Sequence, residues 1–171
     1  MNQRGAVTAT LAIIVVIMIG VGVVCLVPLA NTAKKVDNAS QVALQAALTD
    51  FANEACNKNS VNEADFDKLI QEITGPNTYE YGLQVYVLGE SDGKETSQAV
   101  SDKVGDKYTI YYISQIEEIW ENNNGKFPIE EGTQVYVYAK NTNTTMSTQL
   151  TSPTSSDISN IIAEATATCT K

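Results

Sequence analysis

The chain has 171 residues, with 20 acidic side chains against 11 basic ones, a net charge of −9 and no histidine. An acidic surface excludes the clustered lysine and arginine that nucleic-acid backbones or anionic lipid would need. The missing imidazole removes the commonest general base and metal ligand.

Between Arg4 and Lys34 there is no charged side chain. The run from Ala6 to Ala30 is long enough to cross a bilayer as a helix, since about 20 apolar residues cover the hydrocarbon core. A removable signal peptide has a shorter apolar region of roughly 7–15 residues, so the length favours retention. The segment "VPLANTA" is the opposing signal, because Ala30 and Ala33 would suit a signal peptidase. All 20 acidic and ten of the 11 basic residues follow the run, which leaves residues 31–171 with a charge of −10. The expected topology is single-pass in the cell membrane, with the amino terminus cytoplasmic and an extracytoplasmic domain of modest core.

Residues 31–58 then read as an amphipathic helical stalk that prolongs the membrane helix, with Val36, Ala39, Ala43, Ala46, Ala47 and Phe51 at helical spacing. Pro28 is expected to bend it. A second helix is expected to start at Ser60, with Glu63 as capping-box partner, and to stop at Gly75-Pro76; Phe66, Leu69, Ile70 and Ile73 form its buried stripe. "TYEYGLQVYVLG" alternates as a strand with Leu83, Val85 and Val87 on one side, and Asp92-Gly93 is the expected tip of the following turn. "KYTIYYIS" is a further strand, and "QIEEIWENNNG" a short helix carrying Ile116, Ile119 and Trp120. "TQVYVYAK" is the next strand, and residues 141–157 are expected to be a poorly ordered loop. In "NIIAEATATCTK", Ile161, Ala163, Ala165, Ala167 and Cys169 share one side of a closing strand whose small residues suit a closely packed helix. The fold class is α+β: a long amino-terminal helix, transmembrane then amphipathic, a second helix, and an antiparallel sheet of about four strands over residues 59–171.

Cys25 in the apolar run reads as a small apolar residue. Cys56 and Cys169 fall in the exported part, where two thiols can oxidise to a bridge or stay free. The carboxylate pairs Asp65/Asp67, Glu117/Glu118 and Glu130/Glu131 sit in polar helix or turn contexts and read as solvated charge. No serine or cysteine nucleophile has an evident partner, and no glycine-rich phosphate loop or EF-hand spacing occurs. No catalysis, cofactor or metal is expected. Tyr108, Tyr111, Tyr112, Trp120, Tyr136 and Tyr138 serve either half-buried packing or an assembly contact.

The opening "QRGAVTATLAIIVVIMIG" resembles a pilin-like precursor, in particular the TadE-like minor pilins (pseudopilins) of tight-adherence, or Flp-type, pili. The resemblance implies a short basic leader, residues 1–5, cut after Gly5 so that Ala6 becomes the first mature residue. Thr10-Leu11 stand where the family usually has glutamate and phenylalanine. It also implies a structural subunit whose partners are the bilayer and other pilus-assembly subunits, including copies of itself. Small residues in the membrane helix, Ala9, Ala12, Gly20 and Gly22, suit close helix–helix packing. A membrane-anchored extracytoplasmic binding module is the alternative.

Overall fold

A computed structural model describes residues 3–74, 77–89, 96–97, 107–151 and 161–170. One helix, α1, runs from Gln3 to Asn57, 55 residues and therefore about 82 Å long. It continues through Pro28, whose carbonyl accepts a hydrogen bond from the Thr32 hydroxyl at 2.9 Å. Pro28 has no N–H to offer the Val24 carbonyl, but elsewhere in the interior of the apolar half the helix satisfies its own amides. Strong helix formers (Ala, Gln, Leu) carry it on from residue 41.

The second half of α1 forms one side of the core of the carboxyl-terminal head. Ala33, Leu44, Leu48, Phe51, Ala52 and Ala55 are buried, whereas Val36, Ala39, Ala43 and Ala46 of the expected stripe are exposed. The helix is rotated from the expected orientation because it has apolar residues on more than one side. Turning Leu44 and Leu48 inward removes more apolar area from water than turning Ala39 and Ala46 inward would.

The sheet receiving this helix has the order β3-β4-β2-β6-β7, antiparallel throughout: β2 Tyr79–Leu88, β3 Thr96–Ser97, β4 Tyr108–Tyr112, β6 Gln134–Asn141 and β7 Ile162–Thr168. Its four longer strands are those expected from the alternation, and the α+β class holds. Leu83 faces Val137, Val85 faces Val135, and Ala163, Ala165 and Ala167 continue the row on β7. These residues join the α1 side chains in one core, together with Phe66 and Leu69 of α2 (Glu63–Ile73) and Ile116 and Trp120 of α3 (Ile113–Asn122). Helices α1, α2 and α3 therefore cover the same sheet face. Small residues on β7 let α1 approach closely, and the Gln45 and Gln41 side-chain amides donate to the Glu164 and Ile162 carbonyls at 2.7 and 3.5 Å.

Several local expectations change. Ser60 does not cap α2; Ser60–Asn62 is a short strand, β1, paired antiparallel with β5 (Lys126–Pro128), and the helix begins at Glu63 after Asn62. Pairing satisfies the backbone of Val61, which is fully buried, and Trp120 Nε1 donates to the Val61 carbonyl at 2.9 Å. The turn into β5 is closed by Asn124 and Gly125, both at positive φ. The expected stop at Gly75-Pro76 and tip at Asp92-Gly93 lie outside the described residues; α2 ends with Thr74 as its C-cap.

Residues 141–151 are ordered, against the expectation of a loose loop. Asn141 is fully buried, accepts from the Ile161 amide at 2.7 Å and donates to the Asn143 carbonyl at 2.7 Å. It ties the end of β6 to the start of β7 and leads into a one-and-a-half-turn helix, α4, Met146–Thr151. Hydrogen bonding orders a segment that has little apolar area to bury.

Candidate membrane anchor and assembly surfaces

The first surface is the amino-terminal half of α1, which is long and apolar enough to cross a membrane. From Ile13 to Leu29 its large side chains are exposed, between 43% for Ile14 and 72% for Val24. Such an apolar surface calls for a bilayer or neighbouring helices as its environment. Gly5 and Ala6 lie in the helical backbone of α1, and side chains before Ala12 are outside the described ones. A Cβ built on Gly20 or Gly22 meets nothing within 4 Å, so both sites are open to a neighbour. Being two residues apart, they lie about 160° apart around the axis and serve different sides of the helix. Cys25 is a free, exposed thiol within the same apolar segment.

The second surface continues the first along the head. On the side of α1 away from the sheet, Ala39, Val42 and Ala46 recur at helical spacing, and Val42 is 70% exposed. The bulky core-facing residues and this outward stripe leave α1 with two apolar sides, one occupied by its own head.

Cys56, at the end of α1, and Cys169, just after β7, form a disulfide across 113 residues of sequence. It fastens the last strand to the helix that carries the anchor.

No protein-family model, curated protein or solved structure matches this chain.

The carboxylates singled out by the sequence occupy solvated or paired positions, whereas Asp37 Oδ2 is buried without a hydrogen-bond partner among the described residues. Asp65 accepts from Lys58 and from the Asn62 side-chain amide, each at 2.8 Å, and Lys58 also pairs with Glu54 at 2.8 Å. The Lys58 hydrogen bond, followed by that from Asn62, holds the Asp65 carboxyl below its usual range, and the same contact raises Lys58. With its folded pKa depressed, Asp65 adds stability that is present above the unfolded value of 3.8 and is lost as pH falls through the folded value. Asp65→Asn should therefore cost less than about 1 kcal/mol at pH 7, this being a solvent-screened pair. The difference from the parent, read from denaturation curves, should vanish at strongly acidic pH; a gap that widened on acidification would contradict it. Glu117, Glu118, Glu130, Glu131 and Asp67 are exposed. Among the described residues no group of three His, Cys, Asp or Glu gathers to hold a metal.

The aromatic residues divide between two faces. Trp120 sits in the core, 5.9 Å from the Phe66 ring, and Tyr111 packs on Phe127 at 5.2 Å. Tyr108 is buried and Tyr112 is partly exposed. Tyr136 and Tyr138 lie on the sheet face opposite the helices, half-buried, with ring centroids 6.0 Å apart. Tyr136 donates to Glu164 Oε2 at 2.9 Å, and burial followed by this bond pushes its phenol up to about 12. Tyr138 faces Gly82 across the strand pair, and a Cβ on Gly82 would collide with its ring. The glycine in "EYGLQ" was the available signal for this close approach, since an isolated glycine in a strand marks such a place.

Proposed function

We propose that this protein is a structural subunit of the minor-pilin or pseudopilin kind, anchored by α1 and assembled through it into, or as the primer of, a pilus or secretion-type filament. The observation that carries this reading is the unbroken α1, whose apolar half stands clear of the head while its other half is built into the head's core. A rigid rod fixed to a head can hand its apolar half from lipid to neighbouring helices without rearranging the head. Lateral contacts would use the small residues around Ala12, Gly20 and Gly22, with Ala9 from the sequence reading, and continue along Ala39, Val42 and Ala46. Contacts between unlike patches of identical subunits propagate, as a filament requires.

The reading places the amino terminus in the cytoplasm and the head outside, and the disulfide supports that side for the head. It calls for no catalysis and no cofactor. Mass spectrometry of the mature amino terminus tests it. A chain that begins at Ala6 is expected, from cleavage after Gly5. A chain that begins at Met1 would favour a plain anchored binding module, whose supporting observation is the half-exposed Tyr136–Tyr138 pair. A start at Asn31 or Lys34 would mean a secreted head and would exclude both.

A further inference from the structure

The sheet face turned away from the helices carries a feature that anchoring does not use. Tyr138 and Gly82 are cross-strand partners, and the ring lies over the glycine where a side chain would otherwise stand. The ring edge lies close over the Gly82 backbone, and the residue as a whole remains partly exposed. Its neighbour Tyr136 is 6.0 Å away with its plane tilted by 36°, and its hydroxyl is held by Glu164. Two rings thus lie side by side on one sheet face, their planes inclined to each other by 36°. Fixed aromatic rings lose little freedom on binding, which favours a weak ligand.

The surroundings of the rings indicate the ligand's chemistry. Gln84 and Thr166 pair across the strands with Tyr136, Glu164 pairs with Tyr138, and Lys140 follows Tyr138 two residues along the same strand. Hydrogen-bonding side chains therefore border apolar ring faces. A pyranose ring has the matching character, with C–H bonds on its faces and hydroxyls around its edge. The charge of −10 over residues 31–171 disfavours polyanionic chains.

We propose that the Tyr136–Tyr138 pair binds a neutral polysaccharide, sugar rings stacking on the two phenols and hydroxyls reaching Gln84, Lys140 and Glu164. A filament subunit and a lone anchor would both carry this face, so the inference adds a ligand to either reading. The test is retention of the full-length protein, in detergent, by affinity electrophoresis through gels containing soluble β-1,4-glucan, glycol chitin or mannan. At least one polymer should slow migration; Tyr138→Ala and Tyr136→Ala should each weaken retention at least tenfold, and Tyr138→Trp, with a larger ring, should keep it. Near-ultraviolet circular dichroism confirms that each variant is folded. No retardation by any of the three polymers would overturn the proposal, as would retardation that Tyr138→Ala leaves unchanged. Tyr138-dependent self-association without retardation would assign the face to a second copy and would equally overturn it. The amino terminus is read separately, so a failure here is distinct from a failure of the filament reading.

Discussion

Replacing Cys56 and Cys169 together by alanine should lower the stability of the head by about 4–5 kcal/mol, the loop-closure entropy released when a cross-link spanning more than 100 residues is removed. The bond joins positions 113 residues apart, so nearly the whole head lies within the closed loop. Cys169 is 3% exposed and belongs to the apolar core, and alanine keeps both positions apolar. The loss should therefore reflect the cross-link more than lost packing. Urea denaturation of the full chain in detergent, followed by the fluorescence of Trp120, measures it. A loss below about 1 kcal/mol would mean that the unfolded chain is confined by other means. Peptide mapping without reduction gives a direct check: the fragments containing Cys56 and Cys169 should travel together.

Leu48→Ala should cost about 3 kcal/mol, within the range of 2–5 found when a buried leucine leaves a cavity. Leu48 is fully buried, on the side of α1 that meets the sheet. The site cannot collapse easily, because the facing β7 residues Ala163, Ala165 and Ala167 are already small and the helix already lies close. The same substitution at Val42, on the outward side of the helix and 70% exposed, should change stability by less than about 0.5 kcal/mol. Equal effects at the two positions would show that α1 is not seated on the sheet as described. Measured side by side, the pair reports which side of the helix the head occupies.

Much of the architecture could be read from periodicity. The alternation in "GLQVYVL", "TQVYVYA" and "IAEATAT" yields β2, β6 and β7 with the correct inward residues, because a sheet covered on one face imposes a period of two. The buried positions Phe66, Leu69, Ile116 and Trp120 likewise followed from helical spacing. Where the pattern is ambiguous, it does not decide the structure. An alanine-rich helix with leucines elsewhere on its surface offers more than one apolar stripe, and the choice between them depends on the sheet it meets. Strands of three residues, such as β1 and β5, are too short to show any period. Asn141 has no apolar signature at all, and its role appears only when β6 and β7 lie side by side. The long, exposed apolar half of α1 was legible from composition. The pairing of Tyr138 with Gly82 was not, since it depends on the register between β2 and β6, which nothing local to either strand determines.

The two glutamine amides reaching from α1 to the carbonyls of Ile162 and Glu164 have a bearing on crowding. An outermost strand with free carbonyls is a template on which another molecule's strand can zip. On the filament-subunit reading proposed above, heads held in a plane by their apolar helices would meet one another far more often than molecules free in solution. By occupying those carbonyls from within, α1 makes sheet-to-sheet growth between heads less favourable, and on that reading lateral association would fall to the helices.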